Sequence, residues 1–247
     1  KTILPVQLTR GCPFRCTYCA SKILAPKFEM KNPENFFTEI MYYYKNFGTT
    51  KFLFYDDALT YPPAADQSGL KMFLRQVIDS KLPFTFYTPN GLHVKFIDED
   101  LARLLKQTNF KDLRLSLETS DETAQKSTGG KVTNRDLQEA IKNFKKAGFE
   151  KSDLGVYLLA GAPWISLEQT QKDIEFIHSL GAQAILASYS PIPGTADYRQ
   201  LVETGVIPED LDPLWHNKTI FAELFISGSI KKVRKLRDLA SSLNKSC

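Results

Sequence analysis

The segment Gly11-Cys12-Pro13-Phe14-Arg15-Cys16-Thr17-Tyr18-Cys19-Ala20 constrains this chain more than any other stretch. Three of the four cysteines in the 247 residues fall within eight positions, spaced C-x3-C-x2-C, and the fourth, Cys247, is the last residue. A structural zinc site wants four protein ligands, usually as two pairs. No second Cys or His pair follows, because His93, His178 and His216 stand alone and far apart. A disulfide framework or redox pair uses an even number of thiols, which three clustered cysteines do not supply. Iron–sulfur clusters take thiolate ligands, and a four-iron cluster held by three cysteines keeps one iron open to an outside ligand. That reading fits best. The competing ones are a three-cysteine zinc site completed by a remote residue and a chance grouping of thiols.

Composition adds bounds rather than identity. The length suits one large α/β domain, or one domain with a small appendage. Hydrophobic content of 43% is ordinary for a chain with a sizeable core. A formal charge of +4, from 32 basic and 28 acidic residues, is too slight to argue for nucleic acid. Clustered unpaired thiols indicate a reducing compartment, so a cytoplasmic location is expected. No apolar run approaches the ~20 residues that would span a bilayer, and no signal-peptide pattern opens the chain. The first residue is Lys1 rather than Met, which suits a piece of a longer protein.

Read in order, apolar strands alternate with amphipathic helices. Strands are expected at Thr2 to Leu8, Lys51 to Tyr55, Pro83 to Thr88, Leu113 to Leu117, Leu154 to Leu159 and Ala184 to Tyr189. Helices are expected at Pro33 to Phe47 (Asn32 as N-cap, Gly48 as stop), Gln67 to Lys81, Asp98 to Gln107, Thr133 to Ala147 and Ser166 to Leu180. Strands near-continuous in apolar residues suit a parallel sheet covered on both faces. Polar residues collect at the carboxyl ends of these strands, where (β/α) barrels build their sites. After Thr195 the pattern changes to a short helix, Ala196 to Glu203, and a Pro-rich turn region. Two helical stretches follow, Trp215 to Phe225 and the Lys- and Arg-rich Ile230 to Leu243. The basic residues there read as the wet face of an amphipathic helix, with Val233, Leu236, Leu239, Ala240 and Leu243 inward.

The cysteine segment resembles the signature of the radical S-adenosylmethionine (SAM) superfamily, C-x3-C-x-aromatic-C, with Tyr18 in the aromatic place. The resemblance runs from about Ile3 to Thr204. It implies a six-stranded parallel (β/α)6 partial TIM-type barrel over residues 1–204, open on one side; the helical pattern beyond it is expected to form a C-terminal extension over residues 205–247. It also implies that Cys12, Cys16 and Cys19 bind a [4Fe-4S] cluster. The amino and carboxylate groups of SAM would chelate the open iron, and Tyr18 would lie near the adenine. Asp56-Asp57, Asn90-Gly91 and Tyr189-Ser-Pro-Ile-Pro-Gly-Thr195 together look like the subgroup that usually carries an N-terminal cobalamin-binding domain. No such domain precedes Lys1, so cobalamin is expected only with a further domain. The cysteine-rich and RNA-binding domains of the methylthiotransferase relatives are not in this chain either, which weakens that reading.

The strand-end residues divide between SAM and substrate. Asp56 and Asp57 close strand two, where the superfamily commonly contacts the SAM amino group; the bland alternative is a solvated acidic turn. Ser116 and Glu118 end strand four, and alternation places them on one face. Glu118 is read as a SAM ligand, against an inward carboxylate satisfied by Lys126, Lys131 or Arg135. Gly161 ends strand five, where a missing side chain lets backbone approach adenine; a plain strand-to-helix turn is equally compatible. His93 and Tyr189 are the substrate-side candidates. With Tyr87, they suggest an organic substrate of moderate size.

The implied activity is reductive cleavage of SAM to methionine and a 5′-deoxyadenosyl radical that takes hydrogen from a small organic substrate. An electron donor such as a flavodoxin or ferredoxin is expected, with neither a membrane nor a nucleic acid as partner. One alternative is a cobalamin-dependent radical methyltransferase whose other domain is missing from the chain. Another is an iron–sulfur electron-transfer or sensor module, which would more naturally supply four ligands to its cluster.

Overall fold

The computed structural model describes residues 3–62, 69–216 and 230–245. The expected helices form where capping chemistry sets their ends. Helix α1 (Ser21–Leu24), not among the expected helices, is a single turn directly after the cysteine segment. Helix α2 (Pro33–Phe47) starts at Asn32, whose side chain accepts the amides of Glu34 and Asn35, and stops at Gly48, with φ of 65°. Helices α3 (Gly69–Ser80), α4 (Glu99–Gln107), α5 (Glu122–Ser127) and α6 (Asn134–Lys146) follow, of which α5 was not expected. Thr133 and Asp136 close a reciprocal capping box on α6. The last three described helices are α7 (Leu167–Ser179), α8 (Ala196–Glu203) and α9 (Ile230–Lys245). Most of the helix expected from Trp215 to Phe225 lies outside the described residues, as does Cys247.

The strands form two parallel sheets rather than one continuous sheet. β1 (Ile3–Val6), β4 (Lys51–Phe54), β5 (Thr85–Tyr87) and β6 (Phe110–Lys111) pair in that order, all parallel. β7 (Leu113–Glu118), β8 (Leu154–Ala160) and β9 (Gln183–Ser188) form the second sheet. The break falls at Asp112, whose φ of 50° turns the chain between β6 and β7. A bridge between Leu92 and Leu115 joins the two sheets across it. A short antiparallel ribbon of β2 (Thr9–Arg10) and β3 (Glu29–Met30), not anticipated from sequence, closes the base of the cysteine segment. The chain is therefore an α/β fold of parallel sheets, with expected strand four present as β7 and preceded by the short β6, which was not expected.

Phenylalanines fill the layer between the first sheet and its helices. Phe36, Phe52, Phe54, Phe73, Phe86 and Phe110 are each at most 1% exposed, and the Phe86 and Phe110 rings stack 5.1 Å apart. Burying one such ring removes 150–250 Å² of aromatic surface from water, so about six of them dominate the stability of this layer. On the second sheet, α9 runs antiparallel to β9. Asn244 accepts the Ala184 amide and donates to its carbonyl, both at 2.9 Å. Arg237 donates to Ser188 Oγ at 2.6 Å, at the other end of the strand. The Asn244 amide thus occupies the edge where a further strand would pair, and protects it.

Candidate active site

The cysteine segment leaves β1 through the ribbon and crosses the carboxyl ends of the strands. Gly11 has φ of 79°, and a Cβ there would meet the Lys27 carbonyl oxygen at 2.3 Å, so the turn into Cys12 requires glycine. Cys12 is buried, Cys16 and Cys19 are half-buried, and none of the three is in a disulfide. The loop is pinned from outside. Thr17 donates its amide to Thr128, and the Thr17 carbonyl accepts from Asp197. Gly129, with φ of 119°, lies against the backbone of Arg15 and Cys16, where a Cβ would come within 3.0 Å.

The thiols have donors aimed at them. The Phe14 backbone amide donates to Cys12, and the Ser21 amide donates to Cys19 Sγ at 3.4 Å. Burial pushes the Cys12 thiol up to about 11, against the Phe14 amide that lowers it. Burial also raises Cys16, with Lys131 opposing. Among the described residues no three His, Cys, Asp or Glu converge on a single-ion site. In an iron–sulfur cluster each thiolate holds its own iron, so the ligands stand around a larger object. Three free thiols on one loop, amide donors to two of them and a buried cation beside them fit such a cluster.

On one flank of the loop stands Glu118. Its backbone is left-handed, with φ of 68°, at a bulge that shifts the β7–β8 register between Ser116 and Glu118. The expectation that strict alternation puts Ser116 and Glu118 on one face fails there, because the bulge inserts a residue. Glu118 accepts from Lys131 Nζ at 2.8 Å, with both side chains largely buried. Of the three cations weighed for it, Lys131 is the one in contact. Burial alone would lower the Lys131 pKa, but Glu118 and the thiols of Cys16 and Cys19 hold it above the ordinary lysine value. The ammonium also lies 5.8 Å over the Tyr18 ring. Tyr18 bonds Cys16, and burial followed by the Glu118 charge keeps its hydroxyl protonated well above the usual range.

Beyond Tyr18 lies a cavity of about 320 Å³, with mostly apolar walls that include Leu159, Ser188, Tyr189, Pro191 and Ile192. Trp164 packs on Tyr18 at 5.8 Å and donates Nε1 to Asp197 at 2.9 Å. Tyr189 is 2% exposed, and burial, then Asp197, drives its hydroxyl pKa up. Gly161, with φ of 76°, makes the turn after β8.

The opposite flank is filled. His93 is 5% exposed and packs on Phe14 with centroids 4.9 Å apart. Phe14, Tyr61 and Phe96 continue the aromatic group. His93 Nδ1 is buried without a partner, and burial, then Lys131, lowers its pKa to about 3, so the imidazole is neutral. Asp56, on the same side, is 3% exposed. Its Oδ1 accepts from the Thr9 amide and from Thr9 Oγ1, the latter at 2.7 Å, and Oδ2 has no partner. Burial raises Asp56 to about 6 despite these bonds. Asp57 accepts from Ser21 Oγ at 3.0 Å. Ser116 is buried beneath Gly91, whose missing Cβ would meet Ser116 Oγ at 2.3 Å.

The structure thus brings Cys16, Tyr18 and Glu118 together and sets His93 on the far flank from Tyr189. Sequence reasoning missed Trp164, Asp197 and the 128–131 turn. The Gly129-Gly130 pair was the available signal for that turn, since paired glycines mark backbone that must approach something closely.

The match to known proteins agrees with this geometry. Residues 6–177 match the family model of the radical SAM superfamily. The chain belongs to the radical SAM superfamily. Its members are enzymes that use a [4Fe-4S] cluster and SAM. A probable threonylcarbamoyladenosine tRNA methylthiotransferase of Pyrococcus horikoshii is 26% identical over 204 residues, covering 81% of this chain and 47% of that protein. An anaerobic magnesium-protoporphyrin IX monomethyl ester cyclase of Synechocystis is 22% identical over 181 residues, covering 73% of this chain and 34% of that protein. Among solved structures, the radical SAM methyltransferase TsrM of Kitasatospora setae, with cobalamin and a [4Fe-4S] cluster bound, superposes with a TM-score of 0.68. It is 14% identical, and the alignment covers 85% of this chain and 38% of TsrM. That likeness is one of fold. The radical SAM chain described here spans about half, or less, of the length of these relatives. Among its described residues no helix is long and apolar enough to cross a membrane.

Proposed function

We propose that this chain is the SAM-cleaving unit of a radical SAM enzyme acting on an organic substrate. Cys12, Cys16 and Cys19 hold the cluster, which when bound supplies the electron that cleaves SAM to methionine and a 5′-deoxyadenosyl radical. The observation that carries the reading is the contact group on the Tyr18 flank. One buried cation, one carboxylate and one aromatic ring meet beside Cys16. SAM brings an ammonium, a carboxylate, ribose hydroxyls and an adenine. Lys131 offers charge to the carboxylate, Glu118 offers acceptors to the ammonium and hydroxyls, and the Tyr18-lined cavity offers an apolar slot for the adenine near Gly161, while Ser116, buried beneath Gly91, is left out of this reading. His93, buried under Phe14 on the filled flank, is not assigned to substrate in this reading. Tyr189 walls the slot and keeps water from it.

In this reading residues 1–204 form the six-stranded partial barrel, with β6 and β7 acting as one bent strand. Residues 205–247 form an extension whose last helix guards the β9 edge. The donor of the electron is a small carrier protein such as a flavodoxin or ferredoxin. A second reading, cobalamin-dependent methyl transfer with a further domain, is favoured by the similarity in fold to TsrM.

The test is chromatography of a reaction containing anaerobically reconstituted protein, dithionite and SAM. The proposal expects 5′-deoxyadenosine and methionine, and none from the Cys12, Cys16, Cys19 triple alanine variant. Cluster-loaded, reducible protein that forms no 5′-deoxyadenosine overturns it. Formation of S-adenosylhomocysteine only on adding cobalamin transfers support to the second reading.

A further inference from the structure

We infer that Asp56 and Asp57, the pair that follows β4, clamp the two ends of the cluster-ligand loop rather than contact SAM. The inference rests on Cys12, Cys16 and Cys19 being the cluster ligands, and on nothing further in the proposed reaction.

Each carboxylate reaches a different end of the loop. Asp56 Oδ1 holds both the amide and the hydroxyl of Thr9, three residues before Cys12. Thr9 is also where the β2–β3 ribbon begins, so these bonds fix the stem from which Gly11 turns into Cys12. Asp57 Oδ1 accepts from Ser21 Oγ at 3.0 Å, two residues after Cys19. Ser21 in turn donates its amide to Cys19 Sγ at 3.4 Å, and its hydroxyl oxygen lies 3.3 Å from the same sulfur. With the hydroxyl proton directed to Asp57, the amide is the donor to Cys19 that persists once the thiolate binds iron. Amide donors to cluster sulfurs are one of the levers on reduction potential, and partners behind the ligands fix their orientation.

The rest of the pair's surroundings agrees. The backbone carbonyls of Tyr55 and Asp56 are taken by the Asn90 side chain, at 3.1 and 3.2 Å. The Asp56 side chain is 3% exposed, a placement suited to holding backbone and not to meeting a diffusing ligand. Two adjacent acidic residues therefore hold opposite ends of one loop.

The test measures iron release to a chelator from reconstituted protein without SAM, together with the electron paramagnetic resonance spectrum of the reduced cluster and the melting temperature of the apo-protein. Asp56→Ala is expected to speed iron release at least tenfold. Asp56→Asn, whose amide oxygen can still accept both Thr9 donors, is expected to restore slow release. Asp57→Ala and Ser21→Gly are expected to change the spectrum in the same direction, and the double variant to change it no more than the larger single one, as for residues in one chain of contacts. If Asp56→Ala lowers the apo melting temperature too far for reconstitution, the Asp57 and Ser21 variants decide alone. Unchanged iron release and spectrum in the Asp57→Ala variant, with SAM binding weakened tenfold or more, overturns the clamp and makes Asp57 a SAM contact.

Discussion

The two flanks of the cysteine loop differ in what they leave open. Toward β8 and β9, Tyr18, Tyr189 and Ile192 surround about 320 Å³ of mostly apolar space. A charge pair there, Glu118 with Lys131, lies beside the thiols. Toward β4 and β5, side chains fill the volume: Phe14 lies on His93, Tyr61 on Phe96, and Asp56 is spent on Thr9. A cofactor needs room on one side of its metal, and ligands need rigidity on the other. This loop has both, with the charged and apolar groups sorted accordingly.

The largest effect should come from the loop itself. Replacing Cys12, Cys16 and Cys19 with Ala should abolish iron binding, read by iron and sulfide content, while Cys247→Ala should leave it intact. Retention of the cluster by one motif variant, with loss in Cys247→Ala, would reverse the ligand assignment.

Next is the ion pair of the open flank. Lys131→Met leaves Glu118 largely buried without its cation, which should cost about 3–5 kcal/mol, the range for breaking a buried pair from one side. Lys131→Met with Glu118→Leu should recover much of that in denaturant melts. A loss under about 1 kcal/mol in the single variant would mean that the pair is solvated.

On the filled flank, His93 should make stability depend on pH. Its folded pKa of about 3 lies below the unfolded value, so the neutral imidazole stabilises fully above about pH 6.5. That contribution, of order a few kcal/mol at roughly 1.4 per pKa unit, is lost as pH falls toward 3. Asp56 works the other way between about pH 4 and 6, since its folded pKa is raised to about 6. His93→Leu should therefore flatten the acid limb of the stability curve. An unaltered limb would place His93 in contact with water.

Smallest is Ile192→Ala at the cavity mouth. Ile192 is 40% exposed, so stability should stay within about ±0.5 kcal/mol, while affinity for SAM changes if the cavity holds adenine.

How much of this could be read beforehand follows from where the determinants lie. The helices were legible because their ends are written locally: Asn32, Thr133 and Ser166 cap them, and Gly48 stops the first long one. The ligand loop was legible because thiol spacing is itself a chemical statement. Three things were hidden. The break at Asp112 depends on one left-handed residue that sequence does not mark. The bulge at Glu118 changes a face without changing composition. The partners of Asp56 and Asp57, Thr9 and Ser21, are 47 and 36 residues away, and no local pattern records a contact of that kind.

The central claim is that three thiols hold a cluster whose open iron faces the Tyr18 flank. The measurement that tests it most directly is electron paramagnetic resonance of the dithionite-reduced, reconstituted protein before and after SAM is added. The account predicts a changed spectrum on adding SAM, with a smaller change or none in Lys131→Met/Glu118→Leu. A reduced cluster whose spectrum is identical with and without saturating SAM would contradict it.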